Sequence, residues 1–345
     1  SFTSAPAYGA AMFIQIGKPQ VLSIRHCVMN TVPDGGYYME ASSWGIYAQG
    51  GVFATLEDID LWCATAQYGG DDGMGMGSSD PALKLGSYNS YDSSYSSPFG
   101  NINANRIRVH FLKNGSNGYL PAALYLYSGE FTSLRNVSVG MESRTLGSGT
   151  PSVVTPRGIL VDSEGAPEFI YSNIAASLPE VWKVGSYCGV FKLCGSGASR
   201  LPGCAKEIGN VTVTLGTTGG IDTQNSGNYY DSYKEGDSSR WAECAALQLA
   251  ITSQSNGSHE PVIARNITVT HPRGIAIYAS NCYVKTCTLQ GMLRAYSATC
   301  DITSLTSWYP GYAVGAAYGS TVRIGTLTLG RGNIAGTDSD PAVLG

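Results

Sequence analysis

Three short stretches, Arg135-Asn136-Val137-Ser138-Val139, Gly209-Asn210-Val211-Thr212-Val213 and Arg265-Asn266-Ile267-Thr268-Val269, share one pattern. Each places Asn ahead of an apolar residue and then alternates hydroxyl and apolar side chains. Alternation with period two marks a strand with one buried face. Looser copies occur at Glu57-Asp58-Ile59-Asp60-Leu61 and Asn105-Arg106-Ile107-Arg108-Val109. Asn136, Asn173 and Asn210 follow one another at intervals of 37 residues. Ile267, Cys287 and Leu327 imply shorter coils of about 20 residues toward the C-terminal end.

A pattern that returns along a chain signals stacked repeats, because one coil of short strands exposes an inward face until neighbours cover it. Asn before the inward Val or Ile has a physical reason. It tolerates left-handed backbone at a tight corner, and its amide can bond the equivalent group in the next coil. The expected fold is all-β: a right-handed three-sheet parallel β-helix of ten or more coils with long inserted loops. It spans 1–335, with 336–345 a tail or the start of a further region. Five Asn-x-Ser/Thr sequons occur, at Asn114, Asn136, Asn210, Asn256 and Asn266, and three of them coincide with the corner pattern. Corner Asn followed by strand residues generates these sequons without glycosylation.

Composition agrees. The 345 residues include 44 Gly and 22 Tyr, and only 13% are charged, which leaves little material for long amphipathic helices. The net charge of −4 and the absence of basic runs exclude a nucleic-acid footprint. No apolar run approaches the roughly 18 residues of a membrane span, so membrane insertion is not expected. No signal sequence is evident at the N-terminus, and the start at Ser1 reads as a trimmed piece of something longer. The nine cysteines show neither Cys-x-x-Cys pairs nor His at metal spacing, and read as reduced thiols packed as small apolar residues in a protein folded in a reducing cytoplasm. Gly73-Met74-Gly75-Met76-Gly77 lacks the Lys-Ser/Thr of a phosphate cradle. No metal and no cofactor are expected.

Two segments, 86–100 and 222–243, are rich in Tyr, Ser, Gly and Asp and read as loops thrown out from the stack. Together with the coil pattern, the low charge and the missing signal sequence, they resemble the β-helical tailspike depolymerases of bacteriophages. The resemblance covers roughly residues 10–330. It implies a parallel homotrimer in a virion tail that binds bacterial surface polysaccharide, capsule or O-antigen, and cleaves it internally. The usual N-terminal attachment domain and the Asp-Phe-Gly-Ala cap are missing. The polygalacturonase motifs of the same fold are also missing, apart from Asp71-Asp72 in other company.

Hydrolysis of a glycosidic bond takes two carboxyl groups facing that bond. The densest set is Asp231, Glu235, Asp237 and Glu243, interleaved with Tyr229, Tyr230, Tyr233, Arg240 and Trp241, whose rings and donors suit a saccharide groove. The plain alternative is a solvated loop. Asp162, Glu164 and Glu168 form a second set, for which a surface charge cluster is the plainer account. Glu57, Asp58 and Asp60 flank a strand; Asp58 fits the corner pattern and reads as structural, while Asp60 and Trp62 share a face and are candidate groove residues on the outside of the solenoid. A lyase would need a base and a carboxylate-neutralising donor, for which His259, Arg265, His271 and Arg273 are the available cluster. The rivals to a hydrolase are thus a lyase on a uronic-acid glycan and a non-catalytic glycan-binding spike.

Overall fold

The computed structural model describes residues 2–3, 12–15, 21–30, 46–49, 53–64, 83–85, 99–114, 118–126, 129–146, 154–161, 169–178, 190–193, 206–216, 245–249, 262–307 and 313–330. These form nineteen strands: β1 (Phe2–Thr3), β2 (Met12–Gln15), β3 (Val21–Asn30), β4 (Ile46–Gln49), β5 (Phe53–Ala64), β6 (Leu83–Leu85), β7 (Phe99–Asn114), β8 (Gly118–Leu126), β9 (Gly129–Leu146), β10 (Val154–Val161), β11 (Phe169–Leu178), β12 (Phe191–Leu193), β13 (Lys206–Leu215), β14 (Ala245–Leu249), β15 (Val262–Ser280), β16 (Cys282–Tyr296), β17 (Thr299–Ser307), β18 (Val314–Ala317) and β19 (Thr321–Leu329). β7 begins inside the segment expected to be a loop over 86–100, because Phe99 already pairs with Gly129.

Every pairing is parallel and joins one coil to the next. One series runs β1, β3, β5, β7, β9, β11, β13, β15, β16, β17, β19. The other runs β2, β4, β6, β8, β10, β12, β14 and then the second halves of β15 and β16 to β18. The chain is a parallel β-helix, as its repeats predict.

The coil from Val262 to Asn281 shows how the sequence turns corners. Val262 and Ala264 point inward, Arg265 and Asn266 are both exposed, and Ile267 and Val269 point inward again. The exposed pair resets the alternation at Asn266, whose φ of 55° bends the strand. After Thr270 the register shifts, and Ile277 and Ala279 face the core on a third leg. Asn281, at φ 51°, then returns the chain to its starting wall one coil higher.

The first corner is repeated by His26, Asp58, Arg106, Asn136, Asn173, Asn210, Asn266 and Thr286, all with φ between 50° and 56°. The expected amide ladder is present. Asn136 donates to Asn105 at 2.8 Å, Asn173 to Asn136 at 3.0 Å, Asn210 to Asn173 at 3.1 Å and Asn266 to Asn210 at 3.1 Å. The short coils also match, with a refinement of register: Cys287 aligns with Ile302 and Ile324, whereas Leu327 lies one inward rung later beside Leu305.

Inside the three legs a single apolar cluster runs from Leu22 through Leu56, Ile107, Val211 and Leu289 to Val314. Each fully buried aliphatic side chain there contributes roughly 1.5–3 kcal/mol. Cys282, Cys287 and Cys300 belong to this cluster, and with Cys27 they carry free thiols. Burial pushes Cys300 up to about 12 and Cys287 well above the ordinary thiol range, so both are unreactive.

Two features of the fold predict measurable stability changes. Thr286 holds a left-handed corner with a β-branched side chain, which is strained by roughly 1–3 kcal/mol. Thr286→Asn, which also extends the amide ladder from Asn266, should raise the unfolding free energy by about 1 kcal/mol, read as a higher urea midpoint. An unchanged or lower midpoint sinks this account of the corner.

His271 is fully buried, and neither ring nitrogen has a hydrogen-bond partner among the described residues. Desolvation holds it down at about 4, below the ordinary imidazole value. The folded state therefore keeps it neutral while the unfolded chain takes up a proton. Stability should fall as pH drops below about 6.5, by about 3 kcal/mol once pH reaches 4. His271→Met should remove that part of the acid sensitivity, read as a flatter plot of unfolding free energy against pH.

Candidate functional site

The wall just beyond the first corner is the richest chemical surface among the described residues. On β5 the outward positions after the corner are Asp60 and Trp62, and on β7 they are Arg108 and His110. The parallel register places Asp60 beside Arg108 and Trp62 beside His110. Directly opposed side chains on adjacent strands are the pairs that interact most strongly.

Arg108 spans two acids. Its Nε donates to Asp60 Oδ1 at 2.5 Å and its second nitrogen to Asp60 Oδ2 at 3.2 Å, while the same nitrogen lies 2.9 Å from Asp58 Oδ1. Arg106 donates to Glu57 at 3.0 Å, and Arg25 lies 3.6 Å from that carboxylate. His26 Nδ1 is 3.0 Å from Asp58 Oδ2, and His110 Nε2 is 3.3 Å from Asp60 Oδ1. The Trp62 and His110 rings stack with centroids 4.3 Å apart and planes 11° from parallel.

The electrostatics follow from these contacts. The hydrogen bond from Arg108 holds Asp60 below the usual carboxylate range, assisted by His110 and opposed by partial desolvation. Asp58 is lowered first by His26 and then by Arg108. Arg108 is raised in turn, chiefly by Asp60. Both aspartates are therefore ionised at neutral pH and suit accepting hydroxyl hydrogen bonds or acting as carboxylate nucleophiles, not donating a proton to a leaving group. Among the described residues no three His, Cys, Asp or Glu side chains converge as a metal site.

Beyond His110 the same two outward rows lose their charge. Ser138 and Gly140 follow, then Ala175 and Ser177, then Thr212 and Thr214. A charged, aromatic patch thus opens onto an uncharged lane along the solenoid axis.

The acids Asp231, Glu235, Asp237 and Glu243, the set Asp162, Glu164 and Glu168, and the candidate binding residues Tyr229, Tyr230, Tyr233, Arg240 and Trp241 all lie outside the described residues. So does His259. His271 is sealed inside the fold, which removes it as a base for elimination. Asp58 does occupy the corner ladder, and Asp60 and Trp62 do share an outward face, as the alternation implies. Arg108 and His110 escaped sequence reading. The signal was available: aligning Asp58 with Arg106 as corners sets Ile59-Asp60-Leu61-Trp62 against Ile107-Arg108-Val109-His110. No family model, curated protein or solved structure matches this chain.

Because the Asp60 carboxyl is depressed in the folded state, its contribution is present above its unfolded value of about 4 and is lost as pH falls through the lower folded value. Asp60→Asn should cost about 1 kcal/mol at pH 7, a figure kept small because Arg108 is 40% exposed. Denaturant melts of both proteins should converge at acid pH. An equal gap at neutral and acid pH rules out the ion pair as its source.

Proposed function

We propose that this chain binds a bacterial surface polysaccharide along the wall that begins at Trp62 and His110, and cleaves it internally by hydrolysis as a tailspike depolymerase. The observation that carries the reading is the aromatic stack of Trp62 on His110 beside the Asp60–Arg108 pair. Ring faces take the apolar faces of sugars, and adjoining carboxylate and guanidinium groups bond their hydroxyls. The solenoid supplies a rigid, axial bed on which several sugars contact successive coils. Binding energy from remote sugars can then orient one linkage.

For hydrolysis, Asp58 and Asp60 fit the ionised role of nucleophile or general base. The general acid falls to another carboxyl, either Glu57 or one of Asp231, Glu235, Asp237 and Glu243. A parallel homotrimer about the solenoid axis remains part of the proposal, and light scattering on the full chain tests it. One observation favours a second reading, a non-catalytic glycan-binding spike: the guanidinium groups of Arg25, Arg106 and Arg108 already contact the three wall carboxylates.

The test is to incubate the protein with capsule and O-antigen preparations while following new reducing ends and the ultraviolet absorbance of unsaturated uronates. Reducing ends alone are expected. Both signals together require a lyase, and binding with neither requires the spike. Trp62→Ala should weaken binding about tenfold, and Asp60→Asn should slow cleavage about 100-fold if Asp60 supplies the base.

A further inference from the structure

The second corner of the last coils stacks Asn281, Ser297 and Tyr318, with φ of 51°, 50° and 55°. The register that aligns Ser280 with Tyr296 and Tyr296 with Ala317 puts the three in one column. Asn tolerates left-handed backbone, but a bulky aromatic residue there is an outlier that costs roughly 1–3 kcal/mol. Gly319 follows at φ 73°, and Ser320 N–H closes the turn on the Ala317 carbonyl at 3.3 Å. Turns with positive φ at both central positions favour Asn-Gly. This chain uses Tyr-Gly.

Burial does not offset that strain, because Tyr318 is 69% exposed. The surrounding frame instead holds the residue in place. Ser297 donates through Oγ to the Tyr318 carbonyl at 3.1 Å and through N–H to the Ala317 carbonyl at 3.1 Å. Ser320 Oγ donates to the same Ala317 carbonyl at 2.7 Å and accepts from Ala298 N–H at 3.2 Å. The Tyr318 ring lies against Tyr296, with centroids 4.3 Å apart and planes 37° from parallel. A strained residue that its surroundings over-determine points to function.

We propose that Tyr318, braced by Tyr296, is a second saccharide-binding site on the last coils, taking the apolar face of a neutral sugar ring. The ligand class follows from the surroundings. Residues 280–283, 295–299 and 316–321, which build the corner, include no charged side chain, so the corner suits an uncharged sugar better than a phosphate or a uronate. Two phenol rings offer a stacking face and hydroxyls that donate and accept. The ligand class is the one proposed for the wall at Trp62, and the site rests on that reading.

The closing experiment measures thermal stability and glycan-array binding, using neutral capsule and O-antigen oligosaccharides, for wild type, Tyr318→Asn, Tyr318→Phe and Trp62→Ala. Tyr318→Asn should raise Tm by about 2 °C by relieving the corner, while lowering affinity about tenfold. Tyr318→Phe should keep affinity within about threefold, since it retains the ring. If Tyr318→Asn binds as wild type while Trp62→Ala does not, the second site is overturned and the wall stands. If wild type binds no glycan, both fall. A lower Tm for Tyr318→Asn overturns the strain on which the inference is built.

Discussion

From β3 to β16 each coil on this wall turns its first corner on one residue at φ between 50° and 56°, and the rest of the molecule depends on that residue. Because it interrupts the pleat by one position, inward residues at Val262 and Ala264 continue as inward residues at Ile267 and Val269 on a wall pointing elsewhere. Without it the alternation would run straight through a flat strand, with no enclosed core. Four Asn residues take the position because their backbone tolerates it and their amides close a ladder from coil to coil. The ladder also fixes register, and register decides which outward side chains meet.

That consequence explains the wall at the N-terminal end. Asp60 meets Arg108 and Trp62 meets His110 only because the corners at Asp58 and Arg106 are stacked. Asp60 and Arg108 are 48 residues apart along the chain, and β6 lies between their strands. Solenoids tolerate long excursions between coils because loop-closure cost grows slowly with length. The charged rows then give way to Ser138, Ser177 and Thr212, so the wall has a polarity along the axis that no single coil would have.

What the sequence discloses follows from how each feature is encoded. Asn136, Asn173, Asn210 and Asn266 repeat one residue type before an alternating strand, so fold and corner are both readable. Arg106 and Thr286 occupy the same corner with residues that do not advertise left-handed backbone, so the repeat is less legible there. The site is harder because its partners are separated by 48 and 50 residues and meet only through register. Composition draws attention to the Tyr-rich segment 222–243, since aromatic and acidic residues crowd together there. The wall at Asp60 has the same chemistry divided between two strands, each unremarkable alone.

The three unusual corner residues also show why strain by itself does not diagnose function. Arg106 is left-handed, but its side chain reaches Glu57 and lies 3.8 Å from Asp58, so electrostatics supply a local reason for it. Thr286 is left-handed in the column that Asn266 ends, and nothing in the structure explains its choice over Asn. Tyr318 differs from both. Its backbone is held by bonds from Ser297, and the side chain so held is aromatic, paired and exposed. Relaxing this corner to Asn-Gly would gain stability but lose the ring that the proposed ligand takes. At Tyr318 a disfavoured φ, a rigid frame and an aromatic face turned to solvent coincide, whereas Arg106 and Thr286 share only the φ.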